Sequence, residues 1–342
     1  MKQAMPDGDN RQSATGEDLG LRHRLIAWRV MSLVNLTQRS GTPAYRRATG
    51  LSDAEWRIVH QVGVHAPVLL TQVAALLSRD KSQVSRSVAR LVTRGVLTRA
   101  SRRAPLELSS RGRDIYGRIL RLARTRNGAL TRGLSDAELR KLPLLVARLQ
   151  RQARRLIATS PDRGRATLAS REALIAARLT DREDLRARQR DAGPRDRLIL
   201  PDFINLLNLL RSSATAVFRG ATGLSEFEWQ IVSQIGEYRG LTLIELVSNM
   251  NRDKSQVGRA VKRLVSLGHL AAYKIGGGRH VRLLITPSGR RIYERAARVA
   301  LARNERLLSQ LSRAERRALL QVLDRLAHNA EGLLVRHRAR AA

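Results

Sequence analysis

Within six positions, Lys81, Ser82, Gln83, Ser85 and Arg86 carry side chains that hydrogen-bond to bases or phosphates, and Arg90 follows one helical turn beyond Arg86. Arginine pairs bidentately with guanine and glutamine with adenine; lysine and serine serve bases and phosphates alike. The set returns as Lys254, Ser255, Gln256, Arg259 and Arg263, because RDKSQVSRSVARLVTRG from Arg79 recurs as RDKSQVGRAVKRLVSLG from Arg252. The chemistry on offer is recognition of nucleic acid, present twice.

The repetition extends beyond these strings. LSDAEWRIVHQVG from Leu51 returns as LSEFEWQIVSQIG from Leu224, at the same offset of 173 positions (252 − 79 and 224 − 51). GRDIY at Gly112 returns as GRRIY at Gly289, now 177 positions on (289 − 112), so the second copy holds a longer loop before that point. Each copy has ordinary domain size, far above a solenoid period. The expected organisation is a disordered tail over 1–18, one domain over 19–158, a partly helical linker over 159–195 and a second domain over 196–342.

Composition narrows the partner. The chain has 342 residues, is 43% hydrophobic and carries a formal net charge of +35. Such a surplus attracts polyanions. Aromatic residues make up only 3%, few for a protein that stacks unpaired bases, so duplex DNA is the better target. Trp56 and Trp229, matched in LSxxEW, read as core anchors. There is no cysteine, which excludes disulfides and thiolate metal sites and fits a cytoplasmic setting. No apolar run is long enough to span a bilayer, and the polar N-terminus has no secretion-signal core. The histidines at 23, 60, 65, 269, 280, 328 and 337 show no ligand spacing, and no nucleophile motif occurs. The expectation is a non-enzyme without cofactor or metal.

The elements that must hold these residues follow from apolar spacing. A helix is predicted over 20–39, a second over 53–63 with a Ser52/Glu55 capping box, and a third from Thr71. Arg79-Asp80 turn the chain, Asp80 caps, and Lys81 to Thr93 form a helix with Val84, Val88, Leu91 and Val92 inward. Helix, tight turn, helix is the helix-turn-helix, whose second helix enters the major groove; its N-terminus also favours a phosphate. A β-hairpin wing follows each. In the second copy Ala272–Ile275 and Val281–Ile285 flank a Gly276–Gly278 tip, with Arg279 and Arg282 as DNA contacts. The first wing is shorter, with Arg102 and Arg103 at a tip interrupted by Pro105.

In this order, LSxxEWxIV, a helix, RDKSQVxRxVxRLVxxG and a wing ending LLITPSG, the chain resembles the MarR family of winged-helix transcriptional regulators over both copies. The resemblance implies a mainly α fold of two winged helix-turn-helix domains that read double-stranded operator DNA. It places family contacts on Ser82, Gln83 and Arg86, on Ser255, Gln256 and Arg259, and on Arg279 at the second wing. It also implies a small aromatic or phenolic effector between interface helices and winged lobe, where Trp28, Tyr45 and Arg46 are candidates. Two points depart from the family: Gly278 stands where an acidic residue usually precedes the tip arginine, and one chain carries two units. Fusion suggests a monomeric pseudo-dimer joined through terminal helices, with Ile115/Ile119/Leu122 and Leu142/Leu145/Val146/Leu149 packing on Ile292/Val299 and Leu319/Leu323/Leu326. A homodimer with four winged units is the competing arrangement, and a sequence-nonspecific architectural DNA-binding protein the competing function.

Overall fold

The structure, a computed structural model, describes residues 21–159, 174–176, 178–179, 193–238, 240–250, 254–275 and 280–339. The expected tail, Arg279 with its glycine tip, and most of the 159–195 linker lie outside these residues; within the expected linker helix, 174–176 and 178–179 are helical.

The first half runs α1 (Leu21–Arg24), α2 (Ile26–Thr49), α3 (Asp53–His65), α4 (Leu70–Leu77), α5 (Lys81–Thr93), β1 (Leu97–Thr98), β2 (Glu107–Leu108), α6 (Ser110–Leu130) and α7 (Asp136–Ala158). The second half runs α8 (Leu200–Thr222), α9 (Glu226–Glu237), β3 (Leu241–Thr242), α10 (Leu243–Met250), α11 (Lys254–Ser266), β4 (Leu270–Ile275), β5 (His280–Ile285), α12 (Pro287–Leu308) and α13 (Arg313–Ala339). The fold is mainly helical, and no described helix is long and apolar enough to cross a membrane.

Local chemistry sets the boundaries. Capping boxes at Ser52/Glu55, Ser135/Glu138 and Ser225/Glu228 start α3, α7 and α9, each contributing about 1 kcal/mol. Gly50 and Gly223, at φ 66° and 72°, end α2 and α8 in the left-handed conformation that glycine tolerates best. One boundary differs from expectation: α2 does not stop near 39 but passes through Pro43 to Thr49. Proline leaves one helical carbonyl without its donor and disturbs the turn before it. There Arg126 of α6 donates to the carbonyls of Thr37 and Ser40, each at 3.0 Å, and ties the turn down.

Three apolar cores organise the molecule. One lies inside the first winged lobe, around Ile58, Val62, Val84, Val88, Leu91 and Leu106. Another fills the second lobe, around Ile231, Ile235, Leu246, Val257, Leu264 and Leu283. The third is shared by α2, α7, α8, α12 and α13; Leu142, Leu145, Val146 and Leu149 lie in it with Leu319, Leu323 and Leu326, but α7 packs mainly on α8 and α13 mainly on α2. Ile115, Ile119 and Leu122 do not reach across; they pack in the first lobe, and Ile292 packs in the second. The face of α6 and α12 near the wing closes its own lobe, and only the later turns enter the common body.

Contacts across that body are reciprocal. Helix α2 runs along α13, and α8 along α7. Asn127 Oδ1 accepts from the Ile199 backbone at 3.1 Å, while Asn304, its twin, accepts from Ile26 at 2.9 Å. Arg148 pairs with Glu315 at 2.7 Å, and its twin Arg325 pairs with Glu138, the twin of Glu315.

Candidate nucleic-acid interface

Each reader helix stands on an apolar stripe. Val84, Val88 and Leu91 of α5 are buried and Val92 half-buried, while Lys81, Ser82, Gln83, Arg86 and Arg90 are exposed and Ser85 half-buried. In α11, Val257, Val261 and Leu264 are buried under exposed Lys254, Ser255, Gln256, Arg259 and Arg263. Neither Arg86 nor Arg259 pairs with a carboxylate among the described residues, so both guanidinium groups remain available to an incoming acceptor.

The start of α5 is already occupied. Asp80 accepts from the Ser82 and Gln83 amides at 2.9 and 3.1 Å, and the Ser82 hydroxyl turns back onto the same carboxylate. The Ser82 hydroxyl and these amides hold Asp80 below the usual aspartate range. The sequence expectation of a phosphate on this helix end therefore meets a competing anion, and Ser82 engages its hydroxyl proton locally.

Arg90 and Arg263 do something that helical spacing alone does not reveal. Arg90 Nε donates to Glu55 Oε1 at 3.1 Å, and Arg263 pairs with Glu228. The second oxygen of each glutamate caps its own helix: Glu55 Oε2 accepts from the Ser52 amide and hydroxyl at 3.0 and 2.7 Å, and Glu228 repeats this with Ser225 at 2.8 Å each. Burial pushes both carboxyls up, but these serine and arginine hydrogen bonds outweigh it and hold them below the ordinary range. One buried glutamate thus fixes the reader helix to the start of α3 or α9. At 57% and 55% side-chain exposure, both arginines still face solvent on one side.

The wings differ as their loop lengths imply. β4 and β5 pair antiparallel from Leu270↔Ile285 to Ile275↔His280, and β3 adds Leu241↔Leu283 and Thr242↔Arg282. The short β3 gave no sequence signal. The first wing pairs only Leu97↔Leu108 and Thr98↔Glu107, with a Val68↔Leu106 bridge in the place of β3. Arg102 and Arg103 are exposed on its tip, as is Arg282 on β5. Behind each wing a hydroxyl closes the loop: Ser109 donates to the Gly95 carbonyl and accepts from Gly112, and Thr286 does so with Gly268 and Gly289. A Cβ at Gly112 or Gly289 would run into the carbonyl of Val96 or His269. Arg111 and Arg113, exposed on the first turn of α6 beside the wing, were not singled out from the sequence; among the described residues they donate to the Arg94 and Leu108 carbonyls.

Of the effector candidates, Tyr45 lines a cleft of about 1350 Å³ between the first lobe and α8, together with Trp56, His60 and Arg126. Trp28 lines a small cavity in the second half, and Arg46 is exposed and lines neither. Tyr45 and Trp56 stack at 4.0 Å. Burial lowers the His60 pKa to about 4, with His65 and Arg57 adding to the effect.

Helix, turn, exposed basic helix and β-wing define a winged helix-turn-helix protein. Residues 49–104, which span α3 to the first wing tip, match the model of the MarR family, and the match supports a DNA-binding transcriptional regulator. A comparison with curated proteins returned no match. Among solved structures, a probable transcriptional regulator from Pseudomonas aeruginosa is similar at 25% identity, over 33% of this chain and 86% of that one, with a TM-score of 0.30. BpsR from Bordetella bronchiseptica, whose DNA binding is regulated by 6-hydroxynicotinic acid, is similar at 21% identity over 33% and 89%, with a TM-score of 0.30. PcaV from Streptomyces coelicolor, in complex with its natural ligand, is similar at 19% identity over 36% and 90%, with a TM-score of 0.32.

Proposed function

We propose that the chain is a sequence-specific regulator of transcription that binds duplex DNA as a monomeric pseudo-dimer, with domains at 19–158 and 196–342. The observation that carries this reading is the pair of exposed reader helices joined through reciprocal contacts. In a two-fold interface residue i meets j while j meets i; Arg148–Glu315 with Arg325–Glu138, and Asn127–Ile199 with Asn304–Ile26, obey that rule within one polypeptide. Lys81, Gln83, Ser85 and Arg86 read one major groove with Ser82 beside them, and Lys254, Ser255, Gln256 and Arg259 read the next. Arg90 and Arg263 position the helices and offer their solvent faces to phosphate. Arg102, Arg103, Arg279 and Arg282 reach the minor groove from the wings. The operator is an imperfect inverted repeat with half-sites about 10 base pairs apart.

A repressor relieved by a small aromatic or phenolic effector fits the cleft beside Tyr45 and Trp56, and such a protein acts in the cytoplasm, where its DNA is. Selection from a random duplex pool, followed by footprinting and light scattering, tests the proposal. The expected result is an enriched inverted repeat protected by a particle containing one 38.2 kDa chain. Binding that enriches nothing and falls steeply with salt would make the protein architectural instead.

A further inference from the structure

Two versions of one site flank the shared helical body. Every residue lining the small second-half cavity, about 40 Å³ in volume, has its repeat twin in the wall of the 1350 Å³ first-half cleft. One version is open and the other nearly filled. Part of the difference lies in a few side chains, and the rest in the extension of the cleft past the matched positions to His60, Tyr116, Gln256 and Arg259. In the second half Trp28, reaching over from α2, stands where the cleft has Pro201; Leu210 and Phe218 replace Thr37 and Tyr45. Trp28 is 9% exposed and belongs to the shared core. An indole where the twin has a pyrrolidine takes up room that a ligand needs, and Leu210 and Phe218 lack the hydroxyls of Thr37 and Tyr45, while Arg303, the twin of Arg126, is held by the Leu210 carbonyl and Ser213.

The open version keeps them. Arg126 supplies positive charge beside Arg57, which is paired with Asp53 at 3.1 Å, and Tyr45 and Trp56 supply an aromatic wall. Asp53, also in that wall, accepts from Thr42 of α2 at 2.8 Å and pairs with Arg79, in the turn that launches α5, at 3.4 Å. At the twin position Glu226 instead accepts a hydrogen bond from Gln230.

We propose that the chain retains one ligand site and has closed its twin: the first-half cleft takes a single planar organic anion, and Trp28 occupies the corresponding place in the second half. This inference rests on the reading of the cleft as an effector site, and adds that one effector per chain reaches the α5 reader helix through Asp53 and Arg79, in a cleft that Gln256 and Arg259 of α11 also line.

Calorimetric titration with 2-naphthoate, a planar aromatic anion, counts the sites. One per chain is expected in the wild type, two in Trp28→Ala, and none in Pro201→Trp, which installs the plug in the open cleft without disturbing the core. Two sites in the wild type would overturn the closure. So would a single site in a Trp28→Ala protein whose circular dichroism is native, or unchanged binding by Pro201→Trp. Absence of binding in both the wild type and Trp28→Ala would overturn the effector reading itself, and the inference with it.

Discussion

Glu55 divides its carboxylate between two helices, one oxygen for the α3 cap and one for Arg90, and Glu228 does the same for α9 and Arg263. Removing Arg90 takes the donor from Glu55 Oε1 and leaves Arg94, 3.7 Å from the other oxygen, as the remaining cation; a pair with both partners buried and no such second cation would lose about 3–5 kcal/mol. Because Arg90 is half in solvent, Arg90→Ala should cost about 1–2 kcal/mol of folding stability, seen as a lower urea midpoint. Arg86→Ala should leave that midpoint unchanged while weakening operator binding by about 1–3 kcal/mol and random duplex by less. Equal stability losses in the two variants would refute the division of labour. The sequence places Arg86 and Arg90 on one face at i,i+4 and so suggests one job for both; what separates them is Glu55, a tertiary partner 35 positions away.

His60 makes a second residue-scale argument. Its folded pKa of about 4 lies below its ordinary 6.5, so between these values the unfolded chain binds a proton that the folded chain refuses. Stability is therefore complete above pH 6.5, declines as pH falls towards 4, and loses at most about 3.4 kcal/mol from this group. Glu55 and Glu228, with depressed folded pKa values, contribute stability above about 4.5 that disappears below it. Urea midpoints of His60→Asn at pH 7, 5.5 and 4 should show the upper part of the acid decline removed and the lower part intact. A decline identical to wild type at pH 5.5 would discard the assignment.

At the scale of elements, the reader helices were the most legible part of the chain. The Asp80 cap of α5, and the apolar stripe and repeated string of both helices, agree, and α5 begins and ends where the spacing puts it. The extension of α2 past Pro43 was hidden because its support comes from Arg126, 83 positions downstream of the proline (126 − 43). Strand β3 was hidden because a two-residue strand has no period to read. Gly258 is the one place where the reader strings differ in backbone cost: it lies inside α11, and a Cβ there meets nothing within 4 Å. Gly258→Ala should raise the thermal midpoint by an amount equivalent to about 0.5–1 kcal/mol. The same change at Gly112, where the Val96 carbonyl blocks a Cβ, should lower it. A rise in both would mean that the wing closure is looser than its hydrogen bonds imply.

For the whole molecule, the division between lobe cores and shared core decides what each half can do alone. The first lobe encloses its own apolar residues, but α2 and α7 bury theirs against α13 and α8. Which apolar positions serve which core could not be read from periodicity, because Ile115 and Leu142 look alike in sequence and face different partners. A fragment of residues 1–158 keeps a complete winged lobe and exposes the faces that the second half covers. Since α8 and α13 are the repeat counterparts of α2 and α7, a second copy of the fragment offers the same kind of partner in the same reciprocal arrangement. The fragment should sediment as a dimer at micromolar concentration and bind an inverted repeat of the first half-site. A folded, monodisperse monomer would show that the contacts across the body are dispensable, and would remove the physical basis for treating the full chain as two reading units held in fixed register.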